Sequence, residues 1–344
     1  MPISVDIKKR LGDFSLEVSF EAEDCVLALL GASGCGKSMT LQCIAGILTP
    51  DEGRIILDGI TLFDSAQRIN LPPQRRQVGL LFQSYALFPN MTVEQNIAAG
   101  LHHHKEGRRA QVQALITSFQ LDGLEGHYPN QLSGGQQQRT ALARMLAAEP
   151  RLVMLDEPFS AMDEHLRWQL EQALTATLER FGGTTIYVSH NRDEVRRICD
   201  RVCVLEEGKS EPVVSIFQLF ERPQTHSAAL LAGCKNFSRM VFQGQRAIAL
   251  DWGCELDFPL PSGVSHIGAH SHALKLAPDN PMMRGRILRI SRTAFSAALV
   301  LQAVNSEDGS ALLHMELPPG QAVSLEAGIE IGISIAPEKL LFLR

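Results

Sequence analysis

Along the first thirty residues apolar positions alternate with polar ones: Ile3, Val5 and Ile7, then Phe14, Leu16, Val18 and Phe20. A period of two predicts two strands with one buried face each. Residues 26–30 break the alternation with an unbroken apolar run, as in a strand covered on both sides, and residues 39–47 carry a helical pattern. Residues 53–59 read as a strand closing on an Asp-Gly turn, and 78–82 as an apolar strand ending at Gln83. From 92 to 148 the pattern is mostly helical, with an interruption around 127–130. Residues 151–155 return to a buried strand that stops at Asp156-Glu157-Pro158. A helix over 163–180 then leads to 184–188, read as the last core strand, which ends at Ser189-His190. Strands alternating with helices imply an α/β fold with a mainly parallel sheet, whose ligands bind beyond the strands' carboxyl ends. Gly36, Gln83, Asp156 and His190 all fall just past such ends.

The turn between the first apolar run and the helix is Gly31-Ala32-Ser33-Gly34-Cys35-Gly36-Lys37-Ser38, a full match to the G-x-x-x-x-G-K-[ST] phosphate loop. Its glycines let backbone N–H groups turn inward around a phosphate, and the helix start adds its positive dipole end. Lys37 is placed to reach the β- and γ-phosphates, and the Ser38 hydroxyl to sit on Mg²⁺. A chance glycine-rich turn would not need strand, loop and helix in register, so the chain is expected to bind a nucleoside triphosphate. Asp156 supplies a further Mg²⁺ ligand, and Glu157 is placed to polarise the water that attacks the γ-phosphate. Such an acidic pair can also be a structural salt-bridge partner; the upstream phosphate loop favours catalysis. Gln83, otherwise a plain loop glutamine, can touch Mg²⁺ and the lytic water. His190, otherwise a satisfied histidine, can bond the γ-phosphate and hold Glu157 and the water in line.

A second anion cradle follows. Leu132-Ser133-Gly134-Gly135-Gln136 opens a helix running through Ala141, Leu142, Met145 and Leu146. Ser133 and the glycine N–H groups are available there to a phosphate. It lies within the helical segment, away from the first loop. Two cradles in one chain are reconciled by a head-to-tail dimer in which each completes the other's site.

These motifs together resemble the ATP-binding cassette (ABC) family over roughly residues 1–230. Residues 31–38 resemble its Walker A, 152–157 its Walker B, 132–136 its LSGGQ signature, Gln83 its Q-loop and His190 its switch histidine. Ser160-Ala161-Met162-Asp163 resembles the D-loop, with Met162 where leucine is usual. The resemblance implies a RecA-like P-loop NTPase core with a helical subdomain at about 84–150, dimerising around two ATP with Mg²⁺, and it adds Asp163 to the nucleotide contacts. The family stacks adenine on an aromatic residue upstream of Walker A. Leu11-Gly12 occupies that position here, and Phe14 is the nearest ring. Residues 83–89 resemble the importer ATPases, in which this segment receives a coupling helix of the membrane permease; Tyr85, Leu87 and Phe88 would line that groove.

Past residue 232 the character changes to short apolar runs at 247–250, 273–276, 285–290, 297–303, 311–317 and 329–335, separated by glycine and proline. They predict a β-rich, OB-like domain over 233–344. The tail resembles the transport-associated OB-type (TOBE or MOP) regulatory domain of importer ATPases. Residues 233–238, 249–253 and 335–339 look most like the molybdate importers, with sulfate and other anion or sugar importers as the competing branch. The implied function is ATP hydrolysis coupled to oxyanion uptake, with an extracytoplasmic binding protein acting through the permease. His266, His270, His272 and Arg292 are polar candidates for an oxyanion pocket without a spacing that singles them out.

Composition narrows the alternatives. A formal net charge of −6 over 344 residues gives no electrostatic footprint for nucleic acid, which counts against a soluble cassette ATPase working on DNA or ribosomes. The basic run His102-His103-His104-Lys105 with Arg108 and Arg109 reads as a solvated segment. Seven cysteines without a C-x-x-C pair suit a reducing compartment; Cys35 is incidental, and Cys199 and Cys203 are core fillers. No apolar run approaches the roughly 18 residues of a membrane helix, and the first residues lack a secretory pattern. An intracellular chain is expected, reaching the membrane face through its permease.

Overall fold

Alternation becomes pairing at the N-terminus. The computed structural model describes residues 1–82, 85–101, 107–159, 164–243, 246–256, 258, 260–261, 263–307 and 309–344. Strands β1 (Ile3–Leu11) and β2 (Phe14–Ala22) run antiparallel in register from Ile3↔Ala22 to Leu11↔Phe14, which buries the expected apolar faces. The buried run is β3 (Val26–Leu30), and the helix after the phosphate loop is α1 (Lys37–Ala45). Next come β4 (Glu52–Leu57), β5 (Ile60–Asp64), β6 (Ile69–Asn70) and β7 (Val78–Leu81). Asp58 and Gly59 both take positive φ in the β4–β5 turn, as its Asp-Gly sequence requires.

The helical segment comprises α2 (Val93–Gly100), α3 (Arg108–Ser118) and α4 (Gly134–Ala147), and a short 3₁₀ turn, Pro129–Gln131, fills the expected interruption. It is followed by β8 (Leu152–Asp156), α5 (Glu164–Phe181), β9 (Thr185–Val188), α6 (Arg192–Ile198), β10 (Arg201–Glu206), β11 (Lys209–Ser210) and β12 (Val214–Ser215).

One mixed sheet follows the order β6-β5-β4-β1-β2-β11-β10-β3-β9-β8-β7, with β12 on β10. The β10-β3-β9-β8-β7 part is parallel and buried on both faces; Leu27, Val153 and Val188 are each 0% exposed. Each such side chain contributes about 1.5–3 kcal/mol on leaving water. One expectation is corrected here: β9 is not the last core strand. The four-residue apolar core of β10, Val202 to Leu205, sits between charged ends and pairs with β3 on its other edge.

The chain divides into two compact units, Met1–Ile216 and Phe217–Arg344, and the turn at Gly233 lies inside the second. Helices α7 (Ile216–Glu221) and α8 (His226–Leu231) precede ten short strands among the described residues. The second unit has β13 (Asn236–Gln243), β14 (Arg246–Ala249), β15 (Cys254–Leu256), β16 (His266–Ala269) and β17 (Leu274–Leu276). It continues with β18 (Met283–Arg292), β19 (Ala297–Ala303), β20 (Leu312–Leu317), β21 (Glu330–Ile335) and β22 (Leu341–Leu343). They form two small antiparallel sheets, β15-β14-β13-β16-β22 and β17-β21-β18-β19-β20, over one apolar core that includes Trp252, Ile267, Leu299 and Ile333. Buried Asn236 ties the sheets together, donating to the Ala269 and His314 carbonyls while its own Oδ1 accepts from the His314 N–H.

Candidate active site

The phosphate loop turns on Gly36, which caps α1 at φ 108 and contributes no side chain. A methyl group there would meet Leu16 at 2.4 Å and the Phe14 ring at 3.4 Å, so only glycine fits and Phe14 lies against the loop. Because Gly36 has no side-chain cap, the first N–H groups of α1 have no side-chain competitor for an anion. Lys37 is 7% exposed, and its Nζ donates to the Gly31 and Ala32 carbonyls at 2.8 and 2.9 Å and lies 3.8 Å from the Cys35 sulfur. At the other end of α1, buried Arg76 donates to the Cys43 and Ile44 carbonyls at 2.8 and 2.9 Å. A guanidinium at that end complements the helix dipole and satisfies orphan carbonyls. Burial pushes its pKa down. No motif spacing marks Arg76, because it caps a helix more than thirty positions upstream.

Two acidic side chains complete the set. Asp156 ends β8, which is separated from β3 by β9; strands at about 4.8 Å spacing leave a gap that side chains must cross. Ser38 crosses it, donating to Asp156 Oδ1 at 3.2 Å. Burial holds the Asp156 carboxyl above its usual range, with Glu157 adding to the rise and Ser38 and Lys37 opposing it. Glu157 has the left-handed φ of 47, a conformation that costs a non-glycine residue of order 1–3 kcal/mol. Its N–H is pinned to the Val188 carbonyl at 2.9 Å, and Oε1 lies 3.2 Å from His190 Nδ1. Lys37, Ser38, Asp156, Glu157 and His190 thus come together through three strand ends. Gln83 and Asp163 lie outside the described residues, as does the basic run of residues 102–105.

The second cradle is built differently. Ser133 caps α4 in a capping box: its hydroxyl accepts from the Gln136 N–H at 3.4 Å, and Gln136 Oε1 accepts from the Ser133 N–H at 2.9 Å. Gly134 and Gly135 supply the first-turn N–H groups. Helix α4 packs against α2, α3 and β7, the edge of the parallel set farthest from β10.

In the segment after Gln83, Tyr85 and Ala86 both take left-handed φ, 58 and 44. Tyr85 is buried, its hydroxyl donating to the Pro158 carbonyl at 3.4 Å, while Arg144 of α4 donates to the Tyr85 carbonyl at 3.1 Å and stacks over Phe88. Tyr85 therefore does not line an open groove as expected; Phe88, 47% exposed, is the ring that faces out. In the second unit the four polar candidates are not one pocket. Arg292 is spent on the Ala322 and Leu325 carbonyls, His266 contacts Ser265, and His270 and His272 stack on each other at 5.4 Å.

Comparison with known proteins places this arrangement. The ABC transporter family model matches residues 14–160. A sulfate/thiosulfate import ATP-binding protein of Synechococcus elongatus is 35% identical over 97% of this chain and 93% of its own length. A putrescine transport ATP-binding protein of Escherichia coli is 38% identical over 94% of this chain and 84% of its own. Among solved structures, a dimeric ATP-binding cassette in a post-hydrolysis state bound to ADP and Pi is similar with TM-score 0.53 and 28% identity, covering 63% of this chain and 99% of that one. With its phosphate loop, its acidic strand end and relatives matched over most of both chains, this chain belongs to the ABC transporter family, as an ATP-hydrolysing subunit of importer type.

Proposed function

We propose that the chain drives solute import as a head-to-tail dimer on a membrane permease, with each ATP held between the phosphate loop of one copy and the Ser133–Gln136 cradle of the other. One observation carries the motor reading: Ser38–Asp156 and Glu157–His190, each at 3.2 Å, converge beside the Lys37 loop. The backbone of residues 31–36, with Lys37, takes the phosphates, and Phe14 against the loop offers a ring for the base. Ser38 and Asp156 are hard oxygen donors, side by side, that would hold Mg²⁺. When bound, the ion neutralises charge developing on the β- and γ-phosphates. Glu157 would orient and polarise the attacking water, and His190, in contact with Glu157 through Nδ1, would offer its other nitrogen to the γ-phosphate. Positioning and electrostatics account for most of the rate, because phosphoryl transfer leaves little covalent chemistry to the protein. Gln83 and Asp163 complete this reading on motif grounds.

Among the described residues no helix is long and apolar enough to cross a membrane. In this reading, docking on a permease through Leu87 and Phe88 supplies the membrane link. The second unit, two small sheets on one core, suits an OB-like regulatory domain. For the solute, the full-length sulfate/thiosulfate relative favours a sulfate-class oxyanion over the molybdate reading of the tail, and the putrescine relative supports a polyamine as the second reading. Uptake of labelled sulfate, molybdate and putrescine, measured in cells with and without the chain, tests this. Chain-dependent sulfate uptake is expected. Dependence of molybdate or putrescine uptake alone would overturn the solute assignment and leave the motor, and no dependent uptake would overturn both.

A further inference from the structure

We infer that Glu194 is a positioning residue for His190: its buried carboxylate clamps the residues on both sides of that histidine. The inference rests on the catalytic reading above. On one side of His190, the Ser189 hydroxyl donates to Glu194 Oε2 at 2.8 Å; on the other, Asn191 Nδ2 donates to Oε1 at 3.2 Å. The Tyr187 hydroxyl, farther back on β9, adds a bond at 3.2 Å, and Arg167 of α5 approaches Oε1 at 3.7 Å. Tyr187 and Ser189 are 0% and 2% exposed, whereas the His190 side chain is 61% exposed. Apart from its contact with Glu157, an imidazole that open to solvent takes its place from its backbone, and the side chains on both sides of that backbone are tied to one carboxylate.

A structural cap would explain a glutamate here differently. Asn191 caps α6, and Glu194 occupies the third helical position, where a capping-box glutamate would reach back to the Asn191 N–H. In this protein that N–H goes to the Ser189 hydroxyl at 3.0 Å, and Asn191 Oδ1 alone caps the helix, taking the Asp193 and Glu194 N–H groups. The carboxylate is thereby released toward the strand end that carries His190. A buried carboxylate is costly unless fully bonded, and an apolar residue would serve packing as well. Two of its donors, Ser189 and Asn191, are the two neighbours of the residue that meets Glu157.

The test is ATP hydrolysis by the full chain, as kcat and KM, for wild type, Glu157→Gln, Glu194→Gln, Ser189→Ala and Tyr187→Phe, with nucleotide affinity and thermal unfolding measured beside it. Glu194→Gln keeps the volume but places an amide donor where donors already converge. Its kcat should fall about 10- to 100-fold, the size of a misplacement near 1 Å, with nucleotide affinity within about twofold. Ser189→Ala, which cuts the tie beside His190, should lower kcat in the same way by less. Tyr187→Phe removes a hydroxyl from the same carboxylate on the strand side; it should lower the unfolding temperature and spare kcat. Equal effects of Ser189→Ala and Tyr187→Phe on kcat would mean a merely structural network and overturn the inference, and this pair decides even if Glu194→Gln does not fold. Unimpaired turnover in Glu194→Gln with an inactive Glu157→Gln would sink this inference alone. Full turnover in Glu157→Gln would remove the catalytic reading beneath it.

Discussion

Two helix starts in the first unit, both proposed above to meet a phosphate, are built in opposite ways. Helix α1 begins on a glycine with no side-chain cap, and its lysine is buried against the loop, with Asp156, Glu157 and His190 brought alongside by neighbouring strands. Helix α4 begins on an exposed serine whose own Gln136 closes the turn. The uncapped start is costly as a helix end and is surrounded by chemistry. The capped start is stable by itself and carries, within its own chain, no such set among the described residues. The difference teaches that a phosphate site needs more than N–H groups and a dipole. The first start is assembled by the fold, and the second, in the function proposed above, is left for a second copy to complete.

The comparison can be broken most forcefully at Glu157. Glu157→Gln should reduce kcat by about 10²–10⁴-fold, the usual contribution of a general base, and leave ATP in place. ATP-dependent dimers should then persist in size-exclusion chromatography. Unaltered turnover would detach the acidic strand end from the first start.

Lys37→Ala and Ser133→Arg should separate the two starts. Removing the Lys37 ammonium forfeits charge-assisted bonds and should weaken ATP binding about 10- to 100-fold in titration calorimetry. Ser133→Arg should leave monomer affinity within about threefold while abolishing ATP-dependent dimerisation, because in the proposed function the nucleotide meets Ser133 only across the dimer. A loss of monomer affinity as large as that of Lys37→Ala would mean that both starts serve one chain.

A smaller effect concerns Asp156. Its folded-state pKa is raised by burial, so the native state holds a proton that the unfolded chain has released, and stability falls as pH rises through the raised value. The penalty is absent below the unfolded pKa and complete above the folded one. At neutral pH without Mg²⁺, Asp156→Asn should therefore raise the unfolding temperature, by a few degrees at most. With Mg²⁺ and ATP the order should reverse, since wild type gains the ligand's stabilisation and the variant does not. Differential scanning fluorimetry at several pH values checks both signs.

The smallest effect belongs to the second start. Ser133→Ala removes a cap whose hydrogen bond is long, and should cost about 0.5–1 kcal/mol in urea unfolding, the low end of the range for such caps. A larger loss would show that the capping box holds α4 more firmly than its 3.4 Å bond suggests.

Much of the site was legible in the chain because its parts are local. A phosphate loop is eight consecutive residues between a strand and a helix, and strand ends mark themselves where apolar runs stop, as at Asp156 and Ser189-His190. Strand β10 escaped notice because four apolar residues between charges carry too little pattern, and β13, β15, β16 and β22 are polar-rich or only three or four residues long. Tyr85 is expected from sequence to line the coupling groove because an aromatic in a loop gives no sign of which way it faces; in the structure Tyr85 and Ala86 are left-handed and the Tyr85 hydroxyl meets the Pro158 carbonyl.

By itself, then, the sequence determined the chemistry on offer: a phosphate loop, an acidic strand end, a histidine at the next strand end and a second glycine-rich helix start. Each is written in contiguous residues whose backbone preferences and hydrophobic period are local properties. Only the tertiary structure decided which of these groups meet. Strand order put β9 between β3 and β8, so that Ser38 reaches Asp156 and His190 reaches Glu157. The knot around Glu194 and the capping of α1 by Arg76 have the same origin. Such contacts depend on long-range packing and on satisfying buried charge, and neither leaves a period or a motif in the order of the residues.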